Sequence, residues 1–350
     1  MTSSLVGIIA NPASGRDIRR LVAHGTVFDN NEKTAIVRRI LLGLEAVGIT
    51  QVAYMPENDF GIVPRAFEGL HHPGATSLLR LNVEPLAMPI LGTSADSTRA
   101  ARLLGEMGAG CILTLGGDGT NRAVARGWVG VPLVPISTGT NNVFPMFIEG
   151  TLAGMAAGLV ALGRTAERAI HRTPRLEVSL NGTPTESALI DVVISALPFI
   201  GSRALWDLST VREVILSRTA PATIGLSALG GALLDGQSGS HAISGMHIIP
   251  GNEGPEIQVA LAPGLVTWVA IGKYRRLAAD DLVYCQPGVG TIALDGEREI
   301  ELAPTTRVEV RLCADGPFVV DIAAALETAA RAGYMRREQT EQPARGIPRS

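Results

Sequence analysis

Residues 114–120 read Thr-Leu-Gly-Gly-Asp-Gly-Thr, and this segment is the part of the chain best suited to chemistry. The apolar run at 111–115 predicts a buried strand that leads directly into the glycine-rich turn. Glycines at 116, 117 and 119 permit positive φ and let backbone N–H groups approach an oligophosphate. Asp118 lies among them, and its carboxylate is suited to hold Mg²⁺ or to take a proton from a hydroxyl group that attacks phosphate.

Two further loops follow apolar runs and carry the same kinds of residue. One reads Asn-Pro-Ala-Ser-Gly-Arg at 11–16, and the other reads Ser-Thr-Gly-Thr-Asn-Asn at 137–142. Loops at the carboxyl ends of strands share one crevice in an open α/β sheet, so the three loops together predict a phosphate-binding site. Its candidate residues are Asn11, Ser14, Gly15, Arg16, Gly116, Gly117, Gly119, Thr120, Asn121, Ser137, Thr138, Gly139, Thr140 and Asn141.

Each of these loops, taken alone, is equally typical of an ordinary turn. The chain has neither a Walker A lysine loop nor the G-x-G-x-x-G spacing of a dinucleotide-binding turn. Backbone amides, hydroxyl groups and a metal ion would therefore hold the phosphates. We expect Thr120 or Asp118 to cap a helix that begins at Asn121 and to direct its N-terminal amides toward the ligand.

The pattern of apolar residues divides the chain into two kinds of segment. Strand-like runs at 5–10, 51–55, 86–90, 111–115 and 131–136 alternate with helical spacing. They predict an N-terminal open α/β sheet domain at 1–150. After a helix at 151–162, short strands and the hairpin dipeptide Asn181-Gly182 predict a β-rich, sandwich-like second domain at 151–319. A helix at 320–335 is a candidate to return to the first domain, and 336–350 is predicted to be a disordered tail.

Composition limits the classes of function. The chain has 350 residues, of which 46% are hydrophobic and 18% are charged, with a formal net charge of -3. This balance argues against nucleic acid as a partner, because neutralising many phosphates needs a basic surface. The three cysteines are odd in number and widely spaced, which predicts buried thiols in a reducing compartment. No run approaches the roughly 20 apolar residues of a membrane span, so we expect a cytoplasmic protein without a membrane partner.

The Asn-Pro-Ala-Ser-Gly segment at 11–15 followed by Gly-Gly-Asp-Gly-Thr at 116–120 resembles the superfamily of NAD kinases, diacylglycerol kinases and sphingosine kinases. Within it, residues 11–21 and 135–145 are most similar to ATP-NAD kinase proteins of the AcoX type, named for acetoin-catabolism operons. The resemblance implies an α/β nucleotide-binding domain and a β-sandwich-like second domain. It also implies Mg²⁺-dependent transfer of phosphate from ATP to a hydroxyl group, by family the 2′-hydroxyl of the adenosine ribose of NAD⁺, and a homo-oligomer, either dimer or tetramer.

The resemblance also implies roles for particular residues. Asp118 matches the motif aspartate near the accepting hydroxyl group. Asp295 and Glu297 are similar to an Asp-Gly-Glu motif of lipid kinases, where the acidic pair is a candidate base or support for the metal ion. The alternative for Asp295 is a β-hairpin turn, and the two interpretations are about equal. Acceptor binding would involve Asn142, Asp191 and Thr223.

Two positions depart from NAD kinases. Where those enzymes carry an Asn-Glu pair that grips the dinucleotide, this chain has Ile190 and Asp191. Ile190 has no amide, and Asp191 is suited either to a ribose or polyol hydroxyl group or to a satisfied core position. The segment around Thr223 lacks the tyrosine of its NAD kinase counterpart. The alternatives are thus a kinase for another polyol or lipid-like hydroxyl group, or a nucleotide-binding accessory protein without turnover.

Overall fold

The computed structural model describes residues 2–14, 28–71, 79–197, 208–220, 222–234, 245–286, 288–296 and 298–336. Gly15, Arg16, Glu297 and the predicted tail from residue 337 onward lie outside the described residues. The helices are α1 (Asn30–Ala46), α2 (Ile62–Glu68), α3 (Ser94–Glu106), α4 (Asp118–Arg126), α5 (Gly150–Ala161), α6 (Ser227–Ala232) and α7 (Ile322–Arg331). The strands are β1 (Leu5–Ala10), β2 (Gln51–Tyr54), β3 (Asn82–Pro85), β4 (Cys111–Gly116), β5 (Leu133–Ser137), β6 (Ile170–Arg172), β7 (Arg175–Leu180), β8 (Thr183–Ala188), β9 (Asp191–Ser195), β10 (Val211–Leu216), β11 (Gly245–Pro250), β12 (Glu256–Ala262), β13 (Leu265–Leu277), β14 (Leu282–Cys285), β15 (Gly290–Leu294), β16 (Arg298–Leu302), β17 (Val308–Cys313) and β18 (Phe318–Val320).

The first layer is a mostly parallel sheet with the strand order β3-β2-β1-β4-β5-β18-β6 among the described residues. Strands β1, β4 and β5 are buried along their whole length, which explains why their sequences are continuous apolar runs. Helices α1 and α5 cover one face of this sheet, and α3 and α4 cover the other. Because β1, β4 and β5 are neighbours and run in parallel, the three loops that follow them meet at one edge.

Close contact between α1 and α5 depends on glycine. A Cβ atom on Gly43 of α1 would collide with the backbone oxygen of Thr151, and one on Gly154 of α5 would collide with that of Ile40. The two helices therefore approach backbone to backbone beneath the first sheet. None of the helices in the described part of the chain is long and apolar enough to cross a bilayer.

One predicted strand is misplaced. The apolar residues at 86–90 predict a strand, whereas β3 covers Asn82–Pro85. The Leu86 N–H still donates to the Tyr54 carbonyl at 2.9 Å, but the Met88 N–H turns back to the Leu86 carbonyl. Pro89 has no N–H with which to continue the ladder. The apolar side chain of Leu86 packs in the core just after the end of the strand.

The β-rich part contains two antiparallel sheets in the described residues. Their strand orders are β12-β13-β11-β10-β9-β15-β16 and β14-β17-β7-β8. One apolar cluster fills the space between the sheets, and a second lies on the opposite face of the larger sheet, where α6 packs. Asn181 and Gly182 both have positive φ, as a two-residue hairpin turn requires, and they join β7 to β8.

The chain crosses between the two parts on both sides of the β-rich segment. Although α5 and β6 follow residue 150, α5 packs on α1, and β6 belongs to the first sheet. After β17, strand β18 joins the first sheet between β5 and β6, and α7 packs on α5. We therefore propose that the β-rich domain covers the segment between β6 and β18.

Candidate active site

The three glycine- and hydroxyl-rich loops contact one another directly. Asn11 Nδ2 donates to Thr120 Oγ1 at 2.9 Å, which joins the first loop to the second. Ser14 Oγ and Thr138 Oγ1 share a hydrogen bond of 2.9 Å, which joins the first loop to the third. The Thr138 N–H donates to the Gly116 carbonyl at 3.3 Å, which joins the third to the second. The carboxyl edge of the first sheet thus carries one continuous polar surface.

Lys33 on α1 holds the first loop in place, and the motifs gave no sign of it. Its Nζ donates to the carbonyls of Asn11 at 2.9 Å and Ser14 at 2.6 Å, and to Asn30 Oδ1 at 3.0 Å. The side chain is fully buried. A lysine on the buried face of an amphipathic helix, in line with Ile36 and Ile40, was the signal available in the sequence.

The glycines of the second loop serve close packing, and the expectation that they use positive φ is wrong. Gly117 has φ -96°, and neither Gly116 nor Gly119 is among the described glycines with positive φ. A Cβ atom on Gly116 would lie 2.5 Å from the Thr120 side chain, and one on Gly117 would lie 2.9 Å from Asn142 Oδ1. Side chains at these positions would separate the loops that form the polar surface.

Helix α4 begins earlier than the sequence predicts. It starts at Asp118 with Gly117 as the N-cap, so neither Asp118 nor Thr120 caps a helix at Asn121. The buried Asn121 side chain fixes the turn internally: its Oδ1 accepts from Thr114 Oγ1 at 2.7 Å, and its Nδ2 donates to the Gly117 carbonyl at 2.9 Å. The first N–H groups of α4 therefore belong to the glycine-rich turn itself, where the helix end favours an anion.

The third loop is braced from within. Ser137 Oγ donates to the Gly139 carbonyl at 2.7 Å, and Asn142 Nδ2 donates to Ser137 Oγ at 2.8 Å. Ser137 and Thr138 are buried, Thr140 is half-buried and Asn141 is exposed. The resemblance assigns Asn142 to acceptor binding. In the structure, its side-chain amide donates a hydrogen bond within the third loop.

Asp118 ties the second loop to the end of the third. Its carboxylate accepts hydrogen bonds from the Val143 N–H at 3.0 Å and from the Phe144 N–H at 2.7 Å. The side chain is 9% exposed. Backbone donors of this kind stabilise the ionised form of a carboxylate. Asp118 thus places its carboxylate where the loops meet the β-rich domain.

Asp295 lies in the β-hairpin turn that one interpretation of its motif predicts. Asp295 and Gly296 have positive φ and form the turn between β15 and β16. Its buried carboxylate also accepts hydrogen bonds from the N–H groups of Leu189 at 3.0 Å and Ile190 at 2.8 Å. Arg122 of α4 lies 3.9 Å from the second carboxylate oxygen and donates to the Leu294 carbonyl. The hairpin turn therefore brings a carboxylate to the junction of the two domains.

Asp191 lies beside Asp295 and has the more perturbed environment of these two carboxylates. It is 8% exposed, and its Oδ1 has no hydrogen-bond partner among the described residues. Burial raises the pKa of Asp191 well above its usual value, and the neighbouring charges of Asp295 and Asp118 raise it further. Burial also raises the pKa of Asp295, while Arg122 and three backbone N–H groups oppose that rise. Asp191 therefore keeps a proton more readily than Asp295.

Ile190 and Thr223, which the resemblance placed near the acceptor, make other contacts. Ile190 is 1% exposed and belongs to an apolar cluster with Leu189 and Phe144 at the domain junction. Thr223 Oγ1 donates to the Ala220 carbonyl at 2.8 Å within its own turn. Ile190, which occupies the position of the NAD kinase amide, thus packs among apolar side chains at the junction.

Arg218, which follows β10, is a second residue that the motifs missed. Its guanidinium lies 5.1 Å from the centre of the Phe144 ring. Burial lowers the pKa of Arg218, and the charges of Asp118 and Asp295 oppose that change. An arginine directly after a buried apolar strand was the available signal. It brings a cation to the same junction as the three carboxylates.

Known sequences that resemble this chain cover both of its domains. Residues 6–164 match the family described as ATP-NAD kinase N-terminal domain, and residues 174–315 match the acetoin catabolism protein X C-terminal domain. Acetoin catabolism protein X of Cupriavidus necator is 37% identical over 340 residues, which span 95% of this chain and 94% of that protein. The chain belongs to the acetoin catabolism protein X (AcoX) family.

Two solved structures resemble the fold of this AcoX-family chain. Yeast NADH kinase complexed with NADH is 13% identical, with a TM-score of 0.51 over 97% of this chain and 90% of that one. A diacylglycerol kinase from Bacillus anthracis is 11% identical, with a TM-score of 0.46 over 91% of this chain and 96% of that one. The predicted AcoX-type resemblance and the NAD kinase/diacylglycerol kinase-like fold, with an α/β domain and a β-rich domain, are confirmed.

Proposed function

We propose that this AcoX-family protein is an ATP-dependent phosphotransferase that phosphorylates a hydroxyl group of a small-molecule acceptor. The observation that supports it best is the position of Asp118, whose carboxylate joins two of the three polar loops and whose charge acts on Asp191 of the other domain. Transfer of phosphate from a nucleotide to a hydroxyl group needs a phosphate-binding edge on one side of the site and carboxylates on the other.

ATP would bind with its phosphates along the three loops. The residues that would contact it are Asn11, Ser14, Gly15, Arg16, Gly116, Gly117, Gly119, Thr120, Ser137, Thr138, Gly139, Thr140 and Asn141, with Asn121 supporting the turn. The N-terminal end of α4 would add its amides and the positive end of its dipole. Lys33 would contribute by fixing the carbonyls of the first loop, because it is itself fully buried.

The donor set fits Mg²⁺ held mainly by the nucleotide. The described residues contain no group of three or more His, Cys, Asp or Glu side chains placed to hold a metal ion. Mg²⁺ commonly takes one or two carboxylates and completes its shell with phosphates and water. Asp118 would supply that carboxylate as the alternative to its role as the base, and the ion would neutralise charge on the phosphates.

In the transfer, the acceptor oxygen would form a bond to the γ-phosphorus of ATP. The bond between that phosphorus and the β–γ bridging oxygen would break, and ADP would leave with the electron pair. Asp118 would orient the acceptor hydroxyl group and receive its proton. Asp295, which accepts backbone hydrogen bonds and lies beside Arg122, would support the junction, and Glu297, two residues later in the sequence, would be the second acid of the motif. Positioning and charge neutralisation would carry most of the rate enhancement.

NAD⁺ is the acceptor that the family favours, with phosphorylation of the adenosine ribose 2′-hydroxyl to give NADP⁺. Asp191 would contact the acceptor, with Asn142 shaping the loop beneath it and Thr223 in the neighbouring turn. A polyol or a lipid-like hydroxyl group is the alternative. The family also leads us to expect a homo-oligomer, either a dimer or a tetramer.

A nucleotide-binding accessory protein without turnover is the second candidate function. It is favoured by Ile190, which packs into the apolar junction where NAD kinases carry an amide. The deciding experiment incubates the protein with Mg-ATP and a panel of NAD⁺, NADH, nucleosides and polyols, and detects phosphorylated products by mass spectrometry. A phosphorylated product supports the kinase. Thermal stabilisation by ATP without any product supports the accessory protein.

A further inference from the structure

The acceptor side of the domain junction contains an arginine whose strongest binding edge has no partner among the described residues. Arg218 Nε and Nη2 are buried, and neither donates a hydrogen bond to any described residue. These two nitrogens form the side-on edge of the guanidinium, which presents two parallel N–H groups. That edge matches the two oxygens of a carboxylate or a phosphate.

Neighbouring groups hold this guanidinium where it is. The Phe144 ring lies 5.1 Å from Arg218 and supports the flat face of the cation. Asp118 and Asp295 are close enough to stabilise its charge. Because these contacts leave the side-on edge unpaired, the arginine is oriented without using its best donors.

Asp191 is a second buried group with an unpaired atom, and it lies near the same two carboxylates. The Asp191 and Leu216 residues are partners in the ladder between β9 and β10, and Arg218 follows Leu216 by two residues. Asp118 and Asp295 act on the charges of both Asp191 and Arg218. A carboxyl oxygen without a partner suits a hydroxyl group, whereas the arginine edge suits an oxoanion.

We propose that Arg218 binds an oxoanion of the acceptor, so that the acceptor is a hydroxyl compound that also bears a carboxylate or a phosphate group. This inference rests on the proposed phosphotransferase function and narrows its substrate class. Hydroxy acids, sugar phosphates and dinucleotides belong to that class. Uncharged polyols and diacylglycerols do not, because they would leave both N–H groups buried without an acceptor.

Equilibrium binding separates this inference from the proposed activity. Calorimetry on the full chain with the non-hydrolysable analogue AMP-PNP and Mg²⁺ compares glycerate with glycerol, glycerol 3-phosphate with glycerol, and NAD⁺ with adenosine. The first two pairs distinguish a carboxylate from a phosphate.

The variants are Arg218→Gln, which removes the charge, and Arg218→Lys, which keeps the charge but loses the two-donor edge. Arg212→Gln is the matched control, because Arg212 lies on β10, the strand that precedes Arg218, and donates to the Val289 carbonyl.

For wild type, we expect the anionic member of at least one pair to bind at least about tenfold more tightly than its neutral partner. Arg218→Gln should abolish this preference, Arg218→Lys should retain only part of it, and Arg212→Gln should keep it. Thermal unfolding of Arg218→Gln and Arg212→Gln checks that each variant is folded before its binding is compared.

Three results would overturn the inference: no anionic compound binds wild type, the preference survives in Arg218→Gln, or the variant loses affinity for AMP-PNP alone. The last result would place Arg218 on the donor side. An Arg218-dependent preference with no product from Mg-ATP would remove the kinase proposal and leave this site standing. Equal phosphorylation of neutral compounds by wild type and Arg218→Gln would remove the inference about Arg218 and leave the kinase proposal standing.

Discussion

The Asp118 carboxylate accepts a 2.7 Å hydrogen bond from the Phe144 N–H, which links the glycine-rich turn to the end of the third loop. The aspartate therefore has a structural contact in addition to its proposed role toward the acceptor hydroxyl group. Asparagine at this position keeps one carbonyl acceptor but loses the charge, so it separates the two contributions.

Asp118→Asn should lower phosphotransferase turnover by a factor of about 10²–10⁴, the range typical of an acid–base group. The free energy of unfolding should fall by no more than about 1–3 kcal/mol, because one backbone donor loses its anionic acceptor. Product formation by mass spectrometry and urea unfolding measure the two effects. Asp315→Asn, in an exposed pair with Arg175, is the control. Near-normal turnover in Asp118→Asn would contradict the assignment.

The buried carboxyl group of Asp191 should make stability depend on pH. Its folded-state pKa lies well above the unfolded value of 3.8, mainly because of burial, so the folded state binds the extra proton. The contribution of Asp191 to stability is fully present below the unfolded pKa and is lost as the pH rises through the folded pKa. Across that interval the slope approaches about 1.4 kcal/mol per pH unit.

Asp191→Asn should therefore unfold at a higher denaturant concentration than wild type at neutral pH, and the difference should vanish near pH 4. Urea unfolding at several pH values from about 4 to 8 measures it. Asp59→Asn, at an exposed position, controls for the loss of one carboxylate. A difference that does not change with pH would show that Asp191 is ionised throughout.

Lys33 should prove necessary for nucleotide binding although it is too deeply buried to touch the nucleotide. Lys33→Met leaves the carbonyls of Asn11 and Ser14 without their charged donor. We expect the free energy of unfolding to fall by about 1–3 kcal/mol and the affinity for AMP-PNP to fall with it. Calorimetry and urea unfolding measure the two quantities. Lys273→Met, at an exposed position on β13, should change neither. Unchanged nucleotide affinity in Lys33→Met would contradict the proposed position of the phosphates.

The sequence predicts the donor side of this site better than the acceptor side, for a physical reason. Buried parallel strands are continuous apolar runs, so β1 and β4 could be located locally, and the rule for loops at their carboxyl ends brings the polar segments together. Asp191 and Asp295 meet only because β9 lies next to β15, a pairing across about a hundred residues that no local pattern encodes.

The contacts of two further side chains could not be predicted from the local sequence. Lys33 contacts the first loop because α1 packs beneath it, and Arg218 contacts Phe144 because the two domains meet there. The predicted start of α4 is wrong because Gly117 caps the helix without a side-chain hydrogen bond. The prediction assumes a capping side chain from Thr120 or Asp118. These features depend on tertiary contacts that only the assembled chain supplies.

Ile190 offers a test of whether the departure from NAD kinases reflects a lost binding group or a different junction. Its side chain is 1% exposed and packs with Leu189 and Phe144. Ile190→Asn buries an amide among apolar groups, so we expect the free energy of unfolding to fall by about 1–3 kcal/mol. Affinity for NAD⁺ should not rise, because the new amide would lie inside the junction. Calorimetry with NAD⁺ and urea unfolding test both expectations, with Ile190→Val as the control that keeps the junction apolar. A marked gain in NAD⁺ affinity would instead mean that position 190 can reach the acceptor.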